Sequence, residues 1–272
     1  MANETKVAIV TGASRGIGEA LAATLHEKGY SVIGIARSTS GILSGLERFT
    51  PVSFDLSDAG KVEAMADRLF AEVAALAPEE LLLVNNAAML EPIRPIEAIR
   101  VPEMTAHIQT SLIAPMALCG AFVRHAQPLP IVKRIVNVTS GLAVHSAPWM
   151  SLYCSAKAAL NMLTRCIADE QAGRPHPILA YALDPGMTDT RMQADARERS
   201  EADFPLQPFF RERFEQGGLW PPARVAAEAI RLLGYNHPNG SLLRVHEPAQ
   251  SAPPAFIFRS RTGPIVNRQG PT

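Results

Sequence analysis

Short runs of aliphatic and β-branched residues alternate along the chain with longer stretches in which apolar positions recur every three to four residues. The short runs read as strands buried on both faces, the longer ones as amphipathic helices. Their alternation predicts a parallel sheet with helices on both sides, because parallel neighbours need a crossover and the crossover helices cover the sheet. Residues 6–10 predict a strand, 16–28 a helix stopped by Gly29, and 31–36 a second strand, together one βαβ unit. Further strands are predicted at 51–55, 81–85, 134–139, 178–184 and 242–246. Helices are predicted at 59–76, where Val62, Met65, Ala66, Leu69 and Val73 share a face, and at 104–127, 151–172 and 225–233. Pro115 should bend the helix at 104–127 or cost it one hydrogen bond.

Between Gly186 and Pro222 the pattern weakens into a charged stretch punctuated by Met192, Phe204, Phe209, Phe210 and Phe214, which reads as a partly helical lid over about 187–222. Residues 248–272 are rich in Pro, Gly and Arg, and read either as disordered or as a tail that docks on a neighbouring subunit. With no internal repeat and no dividing linker, residues 1–247 are expected to form one domain.

Composition narrows the partners. The 26 basic and 26 acidic side chains cancel, which points away from nucleic acid and anionic membrane surfaces and toward a small molecule. Three cysteines, Cys119, Cys154 and Cys166, have neither CxxC spacing nor an even count, so neither a disulfide framework nor a metal cluster is expected. The opening MANETKVAIVTGASRGIG lacks a secretory pattern, and no uninterrupted apolar run reaches the ~20 residues of a membrane span. A cytoplasmic location is the expectation.

The chemistry begins directly after the first strand, at Thr11-Gly12-Ala13-Ser14-Arg15-Gly16-Ile17-Gly18. Glycines there allow a tight turn and a close backbone approach, so the following helix can present its free N–H groups and positive dipole end to a pyrophosphate. Tyr153 and Lys157 lie four apart on one predicted helix and share a face, while Ser140 follows the strand at 134–139, at the edge where ligands bind in open parallel sheets. A tyrosine hydroxyl ionises near ~10, and a neighbouring ammonium would pull that value toward working pH, making the phenol a usable general acid and base. Cys154 faces another way on the helix and reads as a small packing residue.

Four ordered motifs carry a family resemblance across about residues 5–247. They are TGxxxGxG from Thr11 to Gly18, Asn85-Asn86-Ala87-Ala88 in place of NNAG, Ser140 with the YxxxK of Tyr153 and Lys157, and Pro185-Gly186-Met187-Thr188-Asp189-Thr190 matching PGxxxT. Together they resemble the classical short-chain dehydrogenase/reductase family, and Asp189-Thr190-Arg191-Met192 resembles its sepiapterin and benzil reductase branch. The resemblance implies a Rossmann-type, doubly wound, seven-stranded parallel α/β sheet in the order 3-2-1-4-5-6-7. It implies a nicotinamide cofactor held by Gly12, Ser14, Arg15, Gly16, Ile17 and Gly18, with Asp55 and Leu56 at the adenine. Asn86 would lie beside the ribose, Asn85 would bond the cofactor or brace the neighbouring backbone, and Thr188 and Thr190 would meet the carboxamide. Tyr153 would serve as acid and base, Lys157 would also bond the nicotinamide ribose, and Ser140 would hold the substrate oxygen. A homodimer or homotetramer through the helices at 104–127 and 151–172 is also implied.

Ala36-Arg37-Ser38 at the end of the second strand carries no acid for a ribose hydroxyl, and Arg37 with Arg15 favours NADP(H); a solvated surface charge is the alternative for Arg37. One departure stands out: Ser111 occupies the position where the family carries an Asn in a proton relay. The resulting expectation is an NADP(H)-dependent reductase of a ketone or dicarbonyl. His145, Trp149, Met150, Met187 and Met192 are expected to wall its pocket. The alternative is a catalytically weak or idle NADP(H)-binding regulator.

Overall fold

The computed structural model describes residues 6–245, so the tail at 248–272 and the last residue of the strand predicted at 242–246 lie outside the described residues. Seven strands form one fully parallel sheet: β1 (Lys6–Thr11), β2 (Tyr30–Ala36), β3 (Phe49–Ser53), β4 (Glu80–Asn85), β5 (Val132–Val138), β6 (Leu179–Asp184) and β7 (Leu242–Arg244), in the order β3-β2-β1-β4-β5-β6-β7. This is the order the sequence implied, with the direction of winding reversing between β1 and β4.

Strand residues divide by parity. Val7, Ile9, Leu81 and Leu83 enter one apolar cluster, while Ala8, Val10, Leu82 and Val84 enter the other. A strand that loses both faces to helices needs apolar residues at every position, which is why these runs do not alternate with polar ones. On the first face lie α2 (Ala59–Ala75) and α4 (Ala114–Ala126), joined by an edge-to-face contact of Phe70 and Phe122 with centroids 5.4 Å apart. On the second, α1 (Gly16–Glu27) packs beside α8 (Pro222–Leu233). The long α5 (Ser151–Glu170) follows β5.

The helix predicted at 104–127 is three pieces: α3 (Val101–Ile108), one π-helical turn (Gln109–Ile113), and α4. Pro115 has no N–H to give the Ser111 carbonyl, and its ring crowds that carbonyl, so the turn before it widens. By length and composition the stretch 101–126 could cross a membrane, but Leu118, Cys119, Ala121 and Phe122 are buried in the core of the sheet, so it packs as a core helix.

The edge strand β3 starts two residues before its predicted place because Phe49 packs over Gly34 of β2, where a side-chain carbon would stand 2.6 Å from the Phe49 ring. Gly34→Ala should therefore overpack this contact and destabilise by about 1–3 kcal/mol, whereas Gly41→Ala, with nothing within 4 Å of the added carbon, should be near neutral. Equal denaturation midpoints for the two variants would contradict this packing.

Candidate active site

The carboxyl ends of β1 and β4 meet α1 at a tight joint. The Asn86 side-chain amide donates to the Thr11 carbonyl at 2.9 Å, and the Thr11 hydroxyl accepts from the N–H groups of Asn86 and Ala87. A side-chain carbon on Gly18 would sit 2.3 Å from the Gly12 carbonyl oxygen and 2.4 Å from the Asn86 amide nitrogen. On Gly12 it would sit 2.9 Å from that amide nitrogen. These two glycines are therefore required by close approach, and Gly12 and Gly16 also hold positive φ, at 67° and 60°. Asn86, expected beside a ribose, braces the glycine turn. Asn85 is buried and donates to Asn137 and Cys119.

Arg15 occupies the N-cap position of α1 and places no side chain on the first turn. The N–H groups there open into a groove of about 1800 Å3, mouth included, lined by Gly12, Ser14, Arg15, Gly16, Ile17, Arg37, Asp55, Leu56, Asn86 and Thr190. An uncapped helix start facing two guanidinium groups fits a phosphorylated dinucleotide. The Asp55 carboxylate accepts from the Ser57 N–H and hydroxyl, and those bonds hold it below its ordinary value, with the charge of Arg37 adding to the effect. Thr190 caps α6 (Arg191–Arg197) by accepting from the Gln193 N–H, and Thr188 is buried with its hydroxyl 3.4 Å from the Gly186 carbonyl.

Ser140, Tyr153 and Lys157 come together beside this groove. The Ser140 hydroxyl accepts from the Leu142 N–H at 3.1 Å and lies in hydrogen-bond contact with the Tyr153 phenol. Lys157 is buried, donates to the Val138 carbonyl at 2.7 Å, and sits 5.6 Å from the Tyr153 ring centre. The electrostatics differ from the sequence expectation. Burial pushes the Tyr153 phenol up to about 12, opposed by the Ser140 bond and reinforced by the charge of Asp184, and Lys157 is not among the groups that act on it. Lys157 is itself lowered to about 8 by burial, against the pull of Asp184. The ammonium bonds a strand carbonyl and is partly neutralised by a buried carboxylate, so the phenol stays in its proton-donating form.

Ser111 lies in the π turn, buried, with its hydroxyl accepting the Met89 N–H at 3.0 Å. Asp184, at the end of β6, was not singled out in the sequence. Its carboxylate accepts from the Gly186 N–H at 3.0 Å and lines a second cavity beside Ser140 and Tyr153. An acid directly before the Pro185-Gly186 turn was the available signal, and it reads equally as a turn residue.

That second cavity encloses about 830 Å3, mouth included, and is walled by Leu142, Met150, Met187, Met192, Phe209 and Phe210. Met150, Met187 and Met192 stand where the sequence suggested. Two pocket residues do not: His145 is exposed outside the wall, and Trp149 packs with Ile93, Phe204 and Leu206 in a small apolar cluster that supports the lid. The lid contains α6 and α7 (Gln207–Glu215), and its base is clamped by backbone bonds from Asp189 to Trp220 and from Trp220 to Met187. Tyr153 lines both cavities and marks their junction.

Residues 6–201 match the short chain dehydrogenase family profile. A benzil reductase ((S)-benzoin forming) from Bacillus cereus is 32% identical over 245 residues, covering 88% of this chain and 98% of the relative. A solved short chain dehydrogenase/reductase from Saccharomyces cerevisiae superposes with a TM-score of 0.75 at 27% identity, covering 90% of this chain and 98% of its own. A short chain dehydrogenase from Burkholderia cenocepacia, solved in complex with NADP, gives 0.70 at 26% identity over 89% and 97%.

Because the folded value of Lys157 lies below its ordinary 10.5, the native state releases this proton first, and stability rises with pH between about 8 and 10.5. Relative to Lys157→Met, the wild-type unfolding free energy should therefore gain on the order of 1–3 kcal/mol between about pH 7 and pH 10. A difference that stays constant with pH would show that the lysine is not penalised by burial.

Proposed function

The chain belongs to the short chain dehydrogenase family of oxidoreductases, and from that premise we propose that it is an NADP(H)-dependent reductase of hydrophobic ketones or dicarbonyls. The observation that carries this reading is the position of Tyr153, at the junction of a guanidinium-lined groove and an apolar cavity, in contact with Ser140 and near Lys157. NADPH, when bound, supplies the hydride. Gly12, Gly16, Gly18 and the open first turn of α1 hold its phosphates, and Arg15 and Arg37 pair with a 2′-phosphate. The NADP complex of the Burkholderia cenocepacia relative supports that choice.

Ser140 donates to the substrate oxygen and fixes it against Tyr153. The Tyr153 phenol, kept neutral by burial and by Asp184, gives its proton to that oxygen as the carbonyl carbon is reduced. Lys157 binds ribose hydroxyls and returns charge balance to the site. Asp184 acts through these two groups: by raising both it keeps each protonated and poises the site for reduction. The methionine and phenylalanine wall suits aromatic groups flanking a carbonyl, and the benzil reductase relative makes aromatic dicarbonyls the first compounds to try. The protein works in the cytoplasm as a homodimer or homotetramer through the surfaces of the π turn, α4 and α5, where Ile113, Met116 and Met162 are exposed.

Oxidation of NADPH with a panel of carbonyl compounds tests the reading. Turnover is expected with aromatic dicarbonyls, and no turnover with any compound despite tight NADPH binding would overturn it. Arg37→Asp should raise KM for NADPH by about 10–100-fold while sparing NADH, since a charge-assisted bond contributes about 1.5–3 kcal/mol. Asp184→Asn should move the alkaline decline of reductive kcat/KM to lower pH by about one unit, because removing the carboxylate lets Tyr153 and Lys157 lose their protons sooner. An unshifted profile would leave Asp184 a turn residue alone.

A further inference from the structure

Asp184 closes β6, and along that strand Ala180 packs into the first apolar cluster while Tyr181 and Leu183 pack into the second. Strand residues two and four apart share a face, so Asp184 stands on the Ala180 side, where α5 carries Tyr153 and Lys157. It is 4% exposed, yet it lines the apolar cavity beside Ser140 and Tyr153. One carboxylate oxygen accepts from the Gly186 N–H at 3.0 Å, and the side chain has no other hydrogen bond or ion pair among the described residues. A carboxylate offers about four acceptor positions, so one bond leaves most of them for what enters the cavity.

The rest of the polar wall is already engaged. The Thr139 hydroxyl donates to the Lys157 carbonyl, the Thr188 hydroxyl lies against the Gly186 carbonyl, and Thr190 accepts from the Gln193 N–H. The Gln193 side chain donates to the Phe210 carbonyl and accepts from Arg197. Among the described residues, no lysine, arginine or histidine lines this cavity; Lys157, Arg15, Arg37 and Arg191 line the dinucleotide groove instead. The charge of Asp184 acts on both Tyr153 and Lys157, so the carboxylate borders the place where Ser140 and Tyr153 hold a substrate oxygen. An anion brought into this space would lose its hydration, meet a carboxylate and find no cation. A hydroxyl brought there would find an acceptor strengthened by its charge.

We propose that Asp184 is a specificity-determining residue that sorts carbonyl compounds by charge: the cavity takes uncharged ketones bearing a hydroxyl beside the carbonyl, with that hydroxyl donating to Asp184, and refuses those bearing a carboxylate. The hydroxyl keeps its own proton throughout. Hydride from NADPH goes to the carbonyl carbon, the Tyr153 proton goes to the carbonyl oxygen, and solvent returns a proton to Tyr153, so a hydroxy ketone leaves as a diol. The inference deepens the reductase reading and rests on it for turnover; the binding preference does not.

Three phenyl ketones of similar size test it: phenacyl alcohol, its methyl ether, which lacks the donor, and phenylglyoxylate, which adds the anion. With NADPH, kcat/KM should be about tenfold or more higher for the alcohol than for the ether, and about a hundredfold lower for phenylglyoxylate than for the ether. Asp184→Asn, which keeps the shape and removes the charge, should bring phenylglyoxylate to within about tenfold of the ether. Asp184→Ala, which removes the acceptor, should leave alcohol and ether alike. Each comparison is a ratio between substrates on one variant, so a change in the proton-donating strength of Tyr153 divides out. Alcohol and ether turned over equally by the wild type, phenylglyoxylate turned over as well as the ether, or ratios untouched by Asp184→Asn would each overturn the proposal. Calorimetry separates this failure from that of the reductase reading. With NADPH present, phenylethanediol should bind the wild type about tenfold or more tightly than mandelate, and Asp184→Asn should narrow that gap. The same gap without turnover of any ketone would sink the reductase reading and leave the charge selection standing, whereas equal binding of diol and mandelate would sink the charge selection. Should Asp184→Ala fail to fold, the wild-type ratios and Asp184→Asn decide the matter.

Discussion

The site depends first on a space kept free of side chains. Where β1 ends, the Asn86 amide must reach the Thr11 carbonyl, and α1 must begin within van der Waals contact of both. Any carbon on Gly18 would collide with backbone and amide together, and one on Gly12 would crowd the amide. With both absent, the first turn of α1 is drawn against the carboxyl edge of the sheet, at the point where the winding reverses between β1 and β4. A crevice opens there because successive crossovers leave in opposite directions, and the helix points its positive end into it. The groove is thus a consequence of topology and two missing methyl groups.

The second determinant is electrostatic and runs against stability. Lys157 is buried with a strand carbonyl for a partner, and Asp184 is buried nearby. Desolvation lowers the lysine and raises Tyr153, while the carboxylate raises both. A neutral phenol beside a cation and an anion is costly to assemble, and the burial that keeps it protonated also makes it a weaker acid than a free tyrosine. The same burial holds His107 below its ordinary value, and its Nε2 has no hydrogen-bond partner among the described residues.

Packing then arranges what surrounds these groups. The π turn before Pro115 carries Ser111 to the segment after β4, and that segment lines the groove. The lid is held by its own apolar cluster of Ile93, Ala147, Met150, Ala196, Phe204 and Leu206, so its methionine and phenylalanine side chains form a built wall. Trp149 serves that cluster, which explains why a large aromatic next to Met150 does not face the cavity.

The strands, the helices between them and the glycine turn were legible in the chain because each is a local pattern: apolar runs, helical spacing, a turn before a helix start; the order of the strands in the sheet was legible only through the family resemblance. The partnership of Ser140, Tyr153 and Lys157 was legible as a motif, and the structure brings those residues together. What tertiary structure alone decided was the balance of charge. Whether Lys157 or burial governs the Tyr153 phenol depends on distances between α5, the end of β5 and Asp184 on β6, three segments that sequence spacing cannot relate. The same holds for Trp149, His145 and His107, whose surroundings come from distant parts of the chain. Local sequence sets backbone preference and periodicity, whereas desolvation and field are sums over every neighbour the fold assembles.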